Sequence, residues 1–187
     1  GTAIIEFTYD DNLPWPEPAD GDGFSLVLID PESTPDHTDP ANWRISGQTG
    51  GNPGTDDSTT FDDWKLATGV TGGPGDDDDL DGILNLIEYG TGSDGTDPDS
   101  KNVPIVSLQT ISLEDYLTIL FQKRIDADDL TYEVEYSEDL VTWEPLDGLF
   151  VSSTPNSGGT TSEVWRSVQP KSIRDNNYVR LKISQIP

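Results

Sequence analysis

Leu130-Thr131-Tyr132-Glu133-Val134-Glu135-Tyr136 alternates apolar with polar or charged side chains, the period of two that lets a strand turn one face to a core and the other to solvent. Tyr132, Val134 and Tyr136 share one face, and Glu133 and Glu135 the other. Leu117, Ile119 and Phe121 make a second such face, and Val179, Leu181 and Ile183 a third, with Arg180 and Lys182 pointing outward. Residues 105–111 and 164–168 add further strands, set apart by turn clusters such as Asp126-Ala127-Asp128-Asp129 and Thr154-Pro155-Asn156-Ser157-Gly158-Gly159. About six or seven strands of this kind suffice for a small antiparallel sandwich, so residues 101–187 are predicted as an all-β module.

Upstream lies Asp77-Asp78-Asp79-Leu80-Asp81-Gly82-Ile83-Leu84-Asn85-Leu86-Ile87-Glu88, which fits position by position the twelve-residue loop of an EF-hand. Calcium takes six to eight hard oxygen ligands. The loop offers the carboxylates of Asp77, Asp79 and Asp81, the main-chain carbonyl of Ile83, Asn85 directly or through water, and both oxygens of Glu88. Gly82 falls at position six, where the chain turns through a conformation that a Cβ disfavours. Apolar residues follow at once and predict one short exit helix. Residues 71–75 hold two adjacent glycines and a proline, which leaves no regular entering helix. One loop with one helix resembles the half-hand of dockerins and other extracellular calcium repeats. Asp94, Asp97 and Asp99 could reach a second ion, as in thrombospondin type 3-like repeats, although Asp-Gly and Asp-Pro pairs also start ordinary turns.

The 187 residues carry 10 Lys+Arg and 36 Asp+Glu, a net charge of -26, which repels phosphate and argues against a nucleic-acid partner. Residues 1–100 hold 2 basic and 23 acidic side chains, and residues 101–187 hold 8 and 13, so the first half gains most from a divalent cation. Without Cys there are no disulfides, thiolate metal sites or cysteine nucleophiles. No apolar run is long enough to cross a bilayer. Lacking Met and beginning at Gly1, the chain reads as a piece of a longer precursor, upstream of which a signal peptide could lie.

Three segments are expected: residues 1–54, 55–100 and 101–187. In the first, residues 3–9 and 24–30 read as strands joined by a Pro/Gly loop. Pro14-Trp15-Pro16, Asp20-Gly21-Asp22-Gly23-Phe24-Ser25-Leu26, Asp39-Pro40-Ala41-Asn42-Trp43-Arg44 and Gly50-Gly51-Asn52-Pro53-Gly54 resemble the closing segment of the lamin-tail-type immunoglobulin-like domain of large exported bacterial proteins. In the second, Phe61 and Trp64 ahead of the loop and Asn85-x-x-Glu88-Tyr89-Gly90 after it are similar to the calcium segment near the carboxyl terminus of such proteins. In the third, the stretch from Leu130 to Trp143 resembles their terminal β module. The resemblance implies an exported, cell-surface context and supplies no activity.

The single His37 lies in a turn, Pro35-Asp36-His37-Thr38-Asp39, and reads as a surface residue rather than the base of a nucleophile pair. With 36 acids some carboxylate pair falls at catalytic spacing in any fold, so that signal is uninformative. No glycine cluster has the phosphate-loop motif or its helix. Trp64 and Trp143 are expected in the core, while Trp15 and Trp43 flank loops and are the candidates for glycan contact. The fold expected is mostly β: a small antiparallel, immunoglobulin-like sandwich with an EF-hand-like calcium loop and one short helix. The expected function is a non-catalytic, calcium-stabilised structural or adhesion module of a secreted or cell-surface bacterial protein, with a glycan or protein as partner. The alternative is a calcium-dependent carbohydrate-binding module.

Overall fold

The computed structural model describes residues 5–12, 14–54, 57–145, 148–156, 159–173 and 178–186, which fall into two compact units, Gly1–Ser58 and Thr59–Pro187. The first is poor in regular structure. Strand β1 (Leu26–Leu28) pairs antiparallel with β2 (Trp43–Ile45), Leu26 opposite Ile45. Of the strand expected over residues 3–9, residues 3 and 4 lie outside the described residues and residues 5–9 adopt no strand. The strand expected over 24–30 shortens to three residues. Its partner β2 carries no alternation in sequence because three residues are too few to display one.

Asp57 clamps this unit. Its carboxylate accepts from Arg44 Nη1 at 3.3 Å and from Gly47 N at 3.0 Å, and its carbonyl from Arg44 Nη2 at 3.1 Å. Phe7 stacks on Trp43 at 5.2 Å and on Trp15 at 6.4 Å, and His37 packs against both Phe7 and Trp43.

The second unit holds two helices, α1 (Phe61–Thr68) and α2 (Asn85–Thr91), and seven strands among its described residues. These are β3 (Ile105–Ile111), β4 (Glu114–Arg124), β5 (Leu130–Ser137), β6 (Glu144–Pro145), β7 (Gly148–Asn156), β8 (Thr160–Ser167) and β9 (Tyr178–Gln185). They form a four-stranded sheet, β3-β4-β8-β7, and a three-stranded sheet, β6-β5-β9, with every pairing antiparallel. The mostly β class and the small sandwich are as the alternation predicts.

Two details depart from the sequence reading. Glu135, expected outward, is buried at 8% exposure because Arg180 stands opposite it and donates to its carboxylate at 2.8 Å. Trp143, expected in the core, is half-buried in a loop with the Arg180 guanidinium 4.1 Å from its ring centre.

A second helix, α1, precedes the loop where one helix was expected in all. Thr60 accepts from Asp63 N while the Asp63 carboxylate accepts from Thr60 N, a reciprocal cap written in the sequence as Thr60-x-x-Asp63. The Gly/Pro run does forbid a helix, but only over the residues that follow α1. Phe61, Trp64 and Val70 pack with Tyr89 of α2 and with Ala127, Leu130 and Ile183 in one core. The aromatic lead-in, the acidic loop and the β module therefore share a single hydrophobic interior. Tyr89, fully buried, donates to Asp129 Oδ1 at 2.6 Å and to the Thr59 carbonyl, and Asp129 Oδ2 accepts from Phe61 N at 3.0 Å. One carboxylate thus ties the start of α1 to α2 and to the turn before β5. No helix among the described residues is long and apolar enough to cross a membrane.

Candidate metal centre

Gly69, at φ +88°, ends α1 in the left-handed region, and the chain then doubles back toward Asp78. Thr71 N, Gly72 N and Thr71 Oγ1 donate to the Asp78 carboxylate at 2.7, 3.1 and 2.9 Å. A Cβ at Gly72 would stand 2.2 Å from Asp78 Oδ1, so only glycine permits this approach. Asn85 closes the ring: its Nδ2 donates to the Gly73 carbonyl at 3.1 Å and to Asp78 Oδ1 at 3.0 Å, and its Oδ1 accepts from Asp78 N at 3.2 Å. The Asn85 amide first, then the N–H groups of Thr71 and Gly72, hold the Asp78 carboxyl well below the ordinary range.

Within that ring the loop's own N–H groups aim its carboxylates inward. Asp81 N donates to Asp77 Oδ1 at 3.2 Å and to Asp79 Oδ1 at 3.1 Å, Gly82 N to Asp77 Oδ2 at 2.9 Å, and Ile83 N to Asp81 Oδ1 at 2.6 Å. Gly82 makes the turn at φ +92°. As a result Asp77, Asp79 and Asp81 each bring one carboxylate oxygen within 4.8 Å of the others.

Glu88 enters from α2. It is fully buried, and neither Oε1 nor Oε2 has a hydrogen-bond partner; Asp79 Oδ2 and Asp81 Oδ2 are also buried without one. The following loop is tight against it, since a Cβ at Gly95 would lie 2.8 Å from Glu88 Oε2. Burial, and then the negative charges of Asp79, Asp81, Asp77 and Asp94, push the Glu88 carboxyl up to about 7. Burial likewise raises Asp79. Lys101 brings a positive charge to the rim, donating to the Asp81 carbonyl at 3.0 Å with its Nζ 3.2 Å from Asp81 Oδ2.

A buried polar atom without a partner carries a desolvation cost, and native folds rarely leave several together. Asp79, Asp81 and Glu88 keep buried oxygens without a hydrogen-bond partner, and the converging oxygens of Asp77, Asp79 and Asp81, a group that does not include Glu88, are hard-oxygen donors of the kind divalent cations take. The Asp77, Asp79 and Asp81 cluster can hold a metal ion.

Asn85, expected to reach the ion directly or through water, braces the loop: its oxygen accepts from Asp78 N and its amide nitrogen donates to Gly73 and Asp78. Asp94 Oδ1 accepts from Thr96 N at 3.0 Å and Thr96 Oγ1 at 2.7 Å, and Asp97 Oδ1 from Asp99 N at 3.1 Å. These carboxylates make turns, and they form no second metal-ligand group with Asp99 among the described residues. Asp78 and Lys101 were missed by sequence reasoning. Asp78 lies at a loop position with no ligand role, although the paired glycines before it signalled a close approach; Lys101 is distant in sequence and gave no signal.

Trp15, expected exposed, is 7% exposed, and Trp43 is half-buried with its Nε1 donating to the His37 carbonyl at 3.1 Å. Their ring faces meet each other and Phe7. Trp64 is buried in the core beside Tyr89, as expected.

No family model, no curated protein and no solved structure matches this chain.

Proposed function

We propose that the chain is a calcium-stabilised structural or adhesive module of a secreted or cell-surface bacterial protein, with no catalysis of its own. The observation that carries this reading is Glu88: a fully buried carboxylate with two unpartnered oxygens, beside three aspartates whose oxygens converge. One oxygen from each aspartate, two from Glu88 and the Ile83 carbonyl reach the lower end of the six to eight that calcium takes, with water free to complete the shell. Magnesium fits poorly, because it demands near-octahedral geometry at shorter distances and keeps its waters. Extracellular calcium is abundant enough to fill even a weak site, and its binding free energy becomes folding free energy for a chain of net charge -26. In this reading the ion is a staple where other exported proteins use disulfides.

Titration calorimetry with calcium and with magnesium, alongside thermal melts, tests the reading. Calcium is expected to bind one to one and raise the melting temperature, and Asp77→Ala or Glu88→Ala to abolish most of the rise. Equal melting temperatures in excess calcium and in chelator would overturn it. The glycan alternative loses its best carrier, since Trp15 turns its ring into an aromatic cluster.

A further inference from the structure

Residues 71–100 hold nine acidic side chains and no Lys or Arg, so the acidic loop has no cation within its own segment. Lys101 is the next residue in the chain, and its neighbours fix where it stands. Ser100 Oγ accepts from Asp94 N at 3.0 Å, and Ser100 N donates to the Asp97 carbonyl at 2.9 Å. Asn102 Nδ2 donates to the Thr91 carbonyl at the end of α2, and Asn102 Oδ1 accepts from Gln122 Nε2 of β4, both at 2.9 Å. The Lys101 backbone is thus pinned beside α2 and the four-stranded sheet, and its ammonium reaches back twenty residues to the loop.

There it meets a single residue. Nζ donates to the Asp81 carbonyl at 3.0 Å and lies 3.2 Å from Asp81 Oδ2. Asp81 Oδ1 accepts from Ile83 N at 2.6 Å, whereas Oδ2 is buried and has no aligned donor, so Oδ2 is the Asp81 oxygen open to a cation. The Asp81 side chain is fully buried while that of Lys101 is 41% exposed. The ammonium therefore comes in from the solvent side, on a flexible four-carbon stem that can swing out without disturbing the packing. Calcium stands about 2.3 to 2.6 Å from its oxygens, so an ion on Asp81 Oδ2 would lie within about 6 Å of the ammonium. At that range two positive charges oppose each other.

We infer, resting on the calcium reading above, that Lys101 is a resident competitor for Asp81: calcium must push its ammonium aside to bind, and its charge holds the calcium affinity down. The acidic loop thereby carries its own regulator, delivered by the segment that leads into β3.

Titration calorimetry of the full chain with calcium, at about 0.1 M and about 1 M potassium chloride, tests this with Lys101→Met and Lys101→Arg beside the parent. Lys101→Met keeps an unbranched stem and removes the charge. It should bind calcium roughly tenfold more tightly at the lower salt, the size of effect that a charge at this range has on a neighbouring site. The gap should narrow at the higher salt, where the ammonium is screened. Lys101→Arg keeps the charge and should keep the parent's affinity. A lysine that only fastened the loop would give the opposite sign, since its loss would loosen the donor set and weaken binding. If the parent binds calcium and Lys101→Met binds it equally or more weakly, or if Lys101→Arg tightens binding as far as Lys101→Met does, the inference falls and the calcium reading stands. A parent that neither binds calcium nor melts higher in it removes the calcium reading and the inference with it.

Discussion

Glu88 is a buried carboxyl whose protonation ties stability to pH. Its folded-state pKa of about 7 lies above the ordinary 4.5, so between those values the folded chain holds a proton that the unfolded chain has lost. The metal-free protein therefore loses stability from this group as pH rises through that window. Glu88→Gln removes the buried charge and keeps the shape, so in chelator it should melt at or above the parent temperature at pH 7. In calcium at about a hundred times the parent's dissociation constant, it should lack the roughly 2.7 kcal/mol of ligand stabilisation that the parent gains. A Glu88→Gln variant that still responds fully to calcium would remove Glu88 from the shell. If calcium binds as proposed it displaces the Glu88 proton, so its affinity should fall between pH 7 and pH 5, with proton release on binding measurable in buffers of different ionisation enthalpy.

At this scale the convergence of Asp77, Asp79 and Asp81 was legible, because their alternation places three carboxylates at the offsets a cation loop uses. The bracing role of Asn85 was not legible, because a position in a loop does not say which way an amide turns. Here its nitrogen donates to Gly73 and Asp78 while its oxygen accepts from Asp78 N. The burial of Trp15 was hidden too, since a loop residue's exposure depends on which other loops fold over it.

Among the elements, the long strands were legible by alternation and the short ones were not. β4, β5 and β9 run to 11, 8 and 8 residues and display the period, whereas β1 and β2 have three residues each. The helix α1 was not expected, and its start is set by the Thr60–Asp63 cap in a segment too short to display an apolar period. Thr60→Ala should cost about 1 kcal/mol by removing that cap, read as a lower denaturation midpoint at unchanged slope.

The β3–β4 hairpin turns through Ser112 and Leu113, both at positive φ, 53° and 71°, where asparagine and glycine are the usual occupants. Leu113→Gly relieves a strained position and should stabilise the chain by about 1 kcal/mol. A destabilised Leu113→Gly variant would mean that the exposed leucine makes a contact outweighing its strain.

For the whole molecule, the acidic loop cannot be treated as an appendage to a β module. Phe61 and Trp64 of α1, Val70 and Tyr89 meet Ala127, Leu130 and Ile183 in one cluster, and Asp126 and Asp129 fasten the segment's start to the β5 turn through Thr59, Phe61 and Tyr89. Composition suggested a boundary near residue 100 because charge density changes there. Composition does not record which apolar faces meet, so the shared interior was beyond a sequence reading. A fragment of residues 101–187 keeps all seven strands but loses the aromatic half of that core. Truncating one large buried aromatic costs about 3 to 5 kcal/mol, and a domain has only about 5 to 15 kcal/mol in all. That fragment should therefore show no cooperative thermal transition, whereas residues 59–187 should melt cooperatively. Because the ion would be held between loop and α2, calcium should move the whole transition of residues 59–187 upward, with far-ultraviolet circular dichroism and Trp64 fluorescence shifting together. Two separated transitions, only one of them sensitive to calcium, would show that the loop folds apart from the strands it packs against.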